Sequence, residues 1–333
     1  MDAVISWVDG YDPIYLSKLN SFCAANNINR QQVIEPTRIN QHNEIYYCLH
    51  SIFNFAPWIQ NIYIITNQQI PNAICHLQNN TFKNKIHIID QNDLLKELGI
   101  TTPIFNSLSA EWLIWGIKGL SNEFLYFNDD FFIIKPVKPC DFFQSGKVIV
   151  RGDWKTQEHK KFLARIKQSI WRFKAKIHQP PLNPEEIIAK TNPHRAWQEE
   201  SERRAGFDKK FYFLAHAPFA LLKNTFDDFI VNNQNLRIQN LKYPFRNPKH
   251  TSSIPLMTHL NITNNRATFK TKLQAIMVNG KTHSLNKIKS RLKHAKLNAN
   301  ISFLCMQSID EAAPLAREYM LNWLEENIVK VDL

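Results

Sequence analysis

The sequence predicts an α/β fold in which a mostly parallel sheet is covered by helices. Short apolar runs typical of buried strands lie at residues 3–8, 61–66, 85–89 and 124–127. Helical patterns separate several of these runs, and alternation of strand and helix is typical of parallel sheets. With 333 residues and 44% hydrophobic content, the chain can bury a large core in one or two domains.

The first predicted strand, residues 3–8, ends at Asp9 and Gly10. A carboxylate just past an N-terminal strand is well placed for a nucleotide or a metal ion, and it is equally typical of a turn. Asp12 and Pro13 then have the character of an N-cap and a first helical residue, so a helix is expected to start here.

A second helix is predicted after Arg38 and is expected to end at Pro57. Its apolar face is formed by residues at helical spacing, namely Ile45, Leu49, Ile52 and Phe53. Spacing alone assigns Arg38 to the solvated surface.

The central feature is the stretch 124–136, FLYFNDDFFIIKP, in which Asn128, Asp129 and Asp130 interrupt an apolar run. Adjacent carboxylates are costly to bury unless a cation lies between them. Oxygen ligands at a strand end suit Mg²⁺ or Mn²⁺, and open α/β sheets bind ligands at the carboxyl ends of their strands. The stretch therefore predicts a metal and diphosphate site, with a polar surface turn as the alternative.

A helix-like segment from Asn106 through Trp115 precedes that stretch and carries Glu111. Asn106 has two interpretations. It can face a phosphate at the helix N-terminus, where backbone N–H groups favour anions, or it can simply cap the helix.

Composition changes after Arg151, because residues 151–176 hold nine Lys and Arg against two acidic residues. Apolar residues at helical spacing within this segment predict a basic helical insertion over residues 151–210. Such a helix can bind an anionic membrane or an acidic polymer, although a helix of this kind more often packs on its own core and exposes its charges.

The C-terminal part contains three basic candidates for a site. His216 lies in the strand-like run FYFLAHAPF, where a lone His is usually a satisfied core residue. Arg246 and His250 follow in the loop-like stretch YPFRNPKH. A final strand at residues 301–305 and an amphipathic closing helix at residues 311–328 complete the prediction.

The formal net charge of +12 favours anionic partners such as nucleotides and phosphorylated polymers. Five scattered cysteines without a CxxC pair favour reduced thiols in the cytosol and argue against a zinc site. The first residues lack the cationic start and long apolar core of a signal peptide, and no apolar run is long enough to span a bilayer. A cytoplasmic location is therefore expected.

Four groups of segments carry a recognisable pattern, in chain order. They are ISWVDGYDP; Arg38 and Glu44 with APWIQNIYIITNQQIP, FNSLSAE and GLSNEFLYFNDDFFI; HAPFALLKNTFDD with PFRNPKH; and ISFLCMQSIDEA. Together they resemble the Stealth family, the hexose-1-phosphate transferases of bacterial capsule synthesis, to which the lysosomal-targeting N-acetylglucosamine-1-phosphotransferase is distantly similar.

The chain departs from the family pattern in two places. His50 stands where the family usually has an Arg, and Gln307 and Ser308 stand where the fourth region usually reads Asn-Asp. Asp310 lies close enough in sequence to substitute for the missing carboxylate.

The resemblance implies a GT-A-like α/β fold with three segments. Residues 1–150 would form the nucleotide-sugar-binding half, residues 151–210 the basic helical insertion, and residues 211–333 the second half that completes the catalytic domain.

The resemblance also implies a reaction. The hydroxyl of an acceptor sugar attacks the β-phosphorus of a UDP-sugar, UMP leaves and a phosphodiester forms. Asp129 and Asp130 would hold Mg²⁺ (or Mn²⁺) on the diphosphate. The expected partners are a nucleotide-sugar donor and an anionic oligo- or polysaccharide acceptor, with peripheral contact to the inner membrane or the capsule machinery and no nucleic acid.

The other site residues follow from the same resemblance. Arg38, Arg246 and His216 would offset charge on the transferring phosphoryl group, and Asp9 or His216 would accept the proton of the attacking hydroxyl. Substrate-binding roles would fall to Trp7, Gly10, Asn106, Glu111, Asn128 and His250.

Two rival functions remain open from the sequence. A conventional metal-dependent glycosyltransferase would use the same Asp pair to bind a metal-UDP complex and would release UDP. A non-catalytic polyanion-binding protein would rely on the net charge of +12 and would have no use for the Asp pair.

Overall fold

The computed structural model describes residues 1–34, 39–75, 77, 80–156, 166, 193–269 and 273–329. Arg38 and most of the predicted basic insertion lie outside these ranges. The strands are β1 Asp2–Ser6, β2 Ile62–Thr66, β3 Ile86–Asp90, β4 Glu123–Asn128, β5 Phe131–Ile133, β6 Phe143–Gln144, β7 Lys147–Val150, β8 Gly152–Thr156, β9 Lys210–Leu214, β10 Phe219–Leu222, β11 Ala267–Phe269, β12 Gln274–Asn279 and β13 Ile301–Gln307.

The helices alternate with these strands through the N-terminal half and pack around them. They are α1 Pro13–Ala25, α2 Arg30–Val33, α3 Glu44–Phe55, α4 Asn72–Cys75, α5 Asn80–Lys83, α6 Gln91–Glu97, α7 Ser107–Ala110, α8 Pro193–Arg204, α9 Lys223–Ile230, α10 Gln234–Leu241, α11 Ser253–Thr263, α12 Leu285–Leu297 and α13 Pro314–Ile328. Short 3₁₀ turns span Ile114–Gly116 and Pro139–Asp141.

The main sheet has five strands in the order β10-β4-β1-β2-β3, of which β1 to β4 pair in parallel and β10 is an antiparallel edge. In the register, Ile5 of β1 lies opposite Ile64 of β2 and Phe127 of β4. Because both faces of a parallel sheet are covered, its central strands are apolar throughout, and every residue of β2 is buried. The predicted α/β class with a mostly parallel sheet is confirmed.

Two hydrophobic clusters cover the two faces of this sheet. Ala3 and Ile5 of β1 face a cluster that also contains α3, β5, β13, α12 and α13. Val4 faces the opposite cluster, which contains Trp112 and residues of α11. This alternation follows from the two-residue period of a strand.

The chain passes from the main sheet into a second one at Asp129 and Asp130. After this turn, β5 pairs antiparallel with β13, which in turn pairs in parallel with β12. The Met306 N–H of β13 donates a hydrogen bond to the Asp130 carbonyl oxygen at 3.0 Å. The Asp pair therefore lies where the two sheets meet.

Several predicted elements have different bounds in the structure. The predicted helix from residue 106 to 115 is broken into α7 and a 3₁₀ turn, because Trp112, Leu113 and Ile114 are all fully buried and cannot share one helical face. The predicted strand at residues 211–219 is divided into β9 and β10, with His216 in the connection before Pro218. The division at residues 150 and 210 stays a prediction.

Candidate active site

A cavity of about 540 Å³ opens at the carboxyl ends of β1 and β4. This is the edge of a parallel sheet where ligands bind in open α/β folds. Eight of the residues predicted for a site line it, namely Trp7, Asn106, Glu111, Asn128, Asp129, Asp130, His216 and Arg246. These residues come from widely separated parts of the chain.

Asp129 and Asp130 form the turn between β4 and β5. Burial, with the neighbouring Asp130 and Glu44 carboxylates, raises the pKa of Asp129 well above its usual value. Burial also raises the pKa of Asp130 to about 7, although a hydrogen bond from the Cys305 thiol, 3.6 Å from Asp130 Oδ2, opposes this shift. Among the described residues, Asp130 Oδ1 is buried without a hydrogen-bond partner.

Two further carboxylates, Glu44 and Asp310, line the same cavity. Glu44 is the first residue of α3, and its Oε2 accepts the His42 N–H at 2.5 Å. Its pKa is raised mainly by burial and also by Asp310. Asp310 Oδ2 accepts a hydrogen bond from Asn40 Nδ2 at 3.0 Å. The sequence analysis did not assign a role to Glu44, although its place with Arg38 among the segments that resemble the Stealth family was a signal.

The donor set at the Asp pair suits a hard divalent cation. Within the described ranges, no group of three or more His, Cys, Asp or Glu side chains is arranged to hold a metal by itself. Mg²⁺, however, is commonly bound by one or two carboxylates together with phosphate oxygens and water. The unpartnered Oδ1 of Asp130 and the raised pKa of both Asp side chains fit such a partial site, because a cation would remove the cost of charging them.

Asn128 is held in place at the last position of β4. The Tyr126 hydroxyl donates to Asn128 Oδ1 at 2.9 Å, two residues back along the same strand. Burial raises the pKa of Tyr126 well above its usual value, so this phenol stays protonated and keeps its donor role. Trp7, just past the end of β1, is buried against the same region.

Asn106 acts as a cap. Its Oδ1 accepts the Ser109 N–H at 2.9 Å, and its Nδ2 donates to the carbonyl oxygens of Tyr243 at 3.0 Å and Pro244 at 3.1 Å. The amide therefore ties α7 to the loop that carries Arg246. The capping interpretation is therefore observed, and because Asn106 also lines the cavity, its predicted contact with substrate stays a prediction.

Arg246 and Glu111 form a second polar group in the cavity wall. Arg246 Nη2 donates to Ser107 Oγ at 3.1 Å, and its guanidinium lies 5.3 Å from the centroid of the Trp197 ring. Glu111 Oε2 accepts from Ser252 Oγ at 3.1 Å. Burial raises the pKa of Glu111 to about 7, and Ser252, Arg246 and the backbone of Ile254 all oppose the shift.

His216 lines the cavity from the connection between β9 and β10. Its ring meets the ring of Phe131 edge-on, with centroids 6.4 Å apart. Burial lowers its pKa, so the imidazole is neutral at pH 7.

Three predicted site residues do not line the cavity. Asp9 Oδ1 accepts the Tyr11 N–H at 2.8 Å, which makes Asp9 a turn residue. At Gly10, an added Cβ would come within 2.4 Å of Ile39 Cβ, so glycine serves a close chain approach there. The sequence could not separate these local roles from ligand contacts.

His250 is the third. It is fully buried, and its Nδ1 accepts the Asn247 N–H at 2.9 Å. Nε2 then carries the proton and donates to Ser109 Oγ, 3.0 Å away. Burial lowers the pKa of His250 to about 4, so this histidine is a neutral structural link between the Arg246 loop and α7.

The fold and the cavity define an α/β protein with a carboxylate-rich site at the carboxyl ends of parallel strands. Residues 38–150 match the family model described as "Stealth protein CR2, conserved region 2". This match contains Glu44, Asn106, Glu111 and the Asp pair. The chain thus carries a Stealth conserved region, and the predicted Stealth resemblance is confirmed.

Curated relatives are similar to part of this chain. A capsular polysaccharide phosphotransferase of Actinobacillus suis is 34% identical over 151 residues, which cover 44% of this chain and 39% of the relative. The capsular polysaccharide phosphotransferase LcbA of Neisseria meningitidis is 34% identical over 148 residues, with 44% and 39% covered. The aligned part spans about two fifths of the length of these relatives.

Solved structures show a general likeness. The galactosyltransferase LgtC, in complex with donor and acceptor sugar analogues, matches with a TM-score of 0.46 at 10% sequence identity. The match covers 99% of this chain and 97% of the LgtC chain. The bifunctional glycosyltransferase WbbM has a TM-score of 0.47 at 12% identity, with 99% and 50% covered. Separately, no helix in the described part of the chain is long and apolar enough to cross a membrane.

Proposed function

We propose that the chain transfers a sugar-1-phosphate from a UDP-sugar to a hydroxyl of a bacterial capsular or surface polysaccharide, forming a phosphodiester and releasing UMP. The observation that carries the proposal is the Asp129–Asp130 turn, which lines one cavity together with Arg246 and His216 and lies in the region matched by the Stealth model. Similarity to capsular polysaccharide phosphotransferases supports the same reaction class.

The Asp pair would bind the donor diphosphate through Mg²⁺ or Mn²⁺. When bound, this cation supplies charge neutralisation on the phosphate oxygens. The two carboxylates orient the diphosphate at the end of β4, and the Tyr126 hydroxyl keeps Asn128 fixed beside it. Holding the β-phosphorus and the attacking hydroxyl in line is the main catalytic requirement of phosphoryl transfer.

Arg246 would bind the transferring phosphoryl group. A guanidinium suits phosphate because its N–H groups form paired hydrogen bonds with two oxygens. Its contacts with Ser107 and Trp197 hold the side chain in the cavity wall before the donor arrives. Arg38, in the same Stealth-matched region, is proposed for a similar role on the basis of the sequence resemblance.

The acceptor would be an anionic oligo- or polysaccharide, which the net charge of +12 favours. The scattered cysteines favour a cytoplasmic location, and the basic segment 151–176 supports peripheral contact with the inner membrane or the capsule machinery.

The test is the identity of the products. The purified protein is incubated with Mg²⁺, a panel of UDP-sugars and capsular oligosaccharides, and the products are followed by ³¹P NMR and nucleotide chromatography. We expect UMP together with a phosphodiester resonance, and we expect both to be lost in Asp130→Asn and retained in Asp93→Asn, an exposed control on α6. Release of UDP without a phosphodiester would instead support a conventional glycosyltransferase, and no turnover with any donor would leave polyanion binding as the function.

A further inference from the structure

The proposed transfer removes a proton from the acceptor hydroxyl, and a group in the cavity has to receive it. Asp129 and Asp130 are poorly suited, because a carboxylate that binds a divalent cation is a weak proton acceptor. Glu44 belongs with them, since its charge raises the pKa of both. The proton acceptor should therefore be sought elsewhere in the cavity wall.

Two other carboxylates at the cavity have their own partners. Asp310 is hydrogen-bonded to Asn40 at 3.0 Å. Glu311 forms an ion pair with Lys281 Nζ at 2.7 Å. Each of these carboxylates is thus already engaged by a donor from the protein.

Glu111 differs from these carboxylates in its surroundings. Its side chain is 8% exposed and lines the cavity, so it is accessible from the cavity and otherwise shielded from water. Ser252 Oγ and the Ile254 N–H, at the start of α11, donate to its carboxylate and fix its orientation. The positive charge of Arg246 acts on the Glu111 carboxylate and lowers its pKa. Glu111 in turn acts electrostatically on the Tyr126 hydroxyl of β4.

We propose that Glu111, which the sequence resemblance implied only as a substrate-binding residue, accepts the proton of the attacking acceptor hydroxyl. This inference rests on the proposed function. As the hydroxyl oxygen forms its bond to the β-phosphorus, its proton passes to the Glu111 carboxylate. The bond between the β-phosphorus and the bridging oxygen breaks, and UMP leaves with that electron pair. Glu111 then returns the proton to water.

The placement of Arg246 supports this assignment. The same arginine acts on Glu111 and is proposed to bind the phosphoryl group, so the proton acceptor and the site of attack would be adjacent. A carboxyl group with a pKa near 7 is also well matched to a proton transfer at neutral pH.

His216 is the competing candidate. Burial lowers the pKa of His216, and within the described residues no charged group opposes this shift. An imidazolium formed there would lack the stabilising carboxylate that usually accompanies a catalytic histidine. Glu111 instead becomes neutral when it takes up a proton, which its buried site favours.

The experiment measures kcat and KM between pH 5 and 9 for UMP release from UDP-glucose, UDP-galactose and UDP-N-acetylglucosamine with capsular oligosaccharide acceptors. For the wild type we expect kcat to fall as pH drops through about 7, because Glu111 must be deprotonated to accept a proton. Glu111→Gln should lower kcat by about 10²–10⁴-fold, leave KM nearly unchanged and remove the acidic limb of the profile.

Ser252→Ala supplies a second measurement that a purely structural role would not produce. The Ser252 hydrogen bond lowers the pKa of Glu111, so its loss should move the acidic limb to higher pH. Thermal unfolding of both variants confirms that they are folded.

The outcomes are distinct. If the wild type releases UMP and Glu111→Gln does so at a similar rate, the assignment is overturned and the proposed function stands. The assignment also fails if the acidic limb lies below pH 6.5 and disappears in His216→Gln. If the wild type releases no UMP from any donor, the proposed function fails, and this assignment fails with it.

Discussion

The thiol of Cys305 lies 3.6 Å from Asp130 Oδ2 and donates a hydrogen bond to it. Cys305 is in β13 and Asp130 precedes β5, so this contact joins the two strands that pair in the second sheet. The other oxygen, Oδ1, is buried without a partner among the described residues. One oxygen of Asp130 is thus held by the Cys305 thiol, and the other is where the proposed cation would bind.

This arrangement predicts that Asp130→Asn changes folding stability in opposite directions with and without metal. The pKa of Asp130 is about 7 in the folded protein against 3.8 normally, so folding stability falls as pH rises through that interval and the full cost is present above pH 7. In EDTA at pH 8, we expect the variant to be more stable than wild type, by up to about 4 kcal/mol. Urea unfolding measures the difference.

Adding Mg²⁺ should reverse this order, because the cation stabilises the charged wild-type pair and not the variant. Asp93→Asn, exposed on α6, should match wild type in both buffers. The metal assignment would be contradicted if Asp130→Asn were less stable than wild type in EDTA. It would also be contradicted if Mg²⁺ stabilised the variant as much as it stabilises wild type.

The buried histidine His250 predicts a pH-dependent loss of stability. Its pKa is about 4 in the folded protein against 6.5 normally, so its contribution is present above pH 6.5 and is lost as pH falls toward 4. The stability advantage of wild type over His250→Gln should therefore shrink by about 3 kcal/mol between these pH values.

Chemical unfolding at several pH values tests this expectation. Comparing the two proteins at each pH cancels the contributions of other titrating groups. His294→Gln, at an exposed position of α12, should leave the pH profile unchanged. An equal advantage at pH 4 and pH 7 would show that His250 is not held neutral.

Gly10 predicts a steric rather than a catalytic defect. A Cβ there would come within 2.4 Å of Ile39 Cβ and 2.6 Å of the Ile39 carbonyl oxygen. Gly10→Ala should cost about 1–3 kcal/mol of stability, as overpacking generally does. Gly116→Ala is the matched control, because its nearest atom would be Arg237 Nη2 at 3.4 Å. A lower melting temperature for the first variant only is the expected result.

Much of this site could be predicted from the sequence, and the reason is local. Asp129 and Asp130 interrupt an apolar run, and that pattern alone indicated a strand end with buried charge. The role of Glu44 beside them depends on how α3 packs against β5, which no local pattern records. Likewise, Asn106 and His250 have the residue types of ligand contacts, and no local pattern records the tertiary hydrogen bonds that Asn106 makes to Tyr243 and Pro244 or the one between His250 and Ser109.

The strand and helix assignments show the same limit. Period and composition identified β1 to β4, and the signal is strongest in β1, β2 and β4, where the covering of both sheet faces makes the strands almost continuously apolar. The segment that contains Trp112 is equally apolar, and there the pattern could not distinguish a helix from the tight turns that bury every side chain. Burial on all sides removes the periodicity on which sequence prediction depends.

Arg246 gives the last prediction, which separates binding from catalysis. If its guanidinium stabilises charge that develops on the transferring phosphoryl group, Arg246→Ala should lower kcat by more than it raises the Kd of the UDP-sugar. Arg246→Lys should recover part of donor binding but little of kcat, because an ammonium group lacks the paired N–H geometry. Calorimetric titration with the donor and steady-state UMP release measure the two quantities.

The same variant has a second effect through Glu111. The positive charge of Arg246 lowers the pKa of Glu111, so Arg246→Ala should raise that pKa and move the acidic limb of the rate profile to higher pH. Arg246→Lys keeps the charge and should leave the limb near its wild-type position. A weaker donor affinity in Arg246→Ala with an unchanged kcat and an unmoved limb would show that Arg246 binds the ground state and the transition state equally.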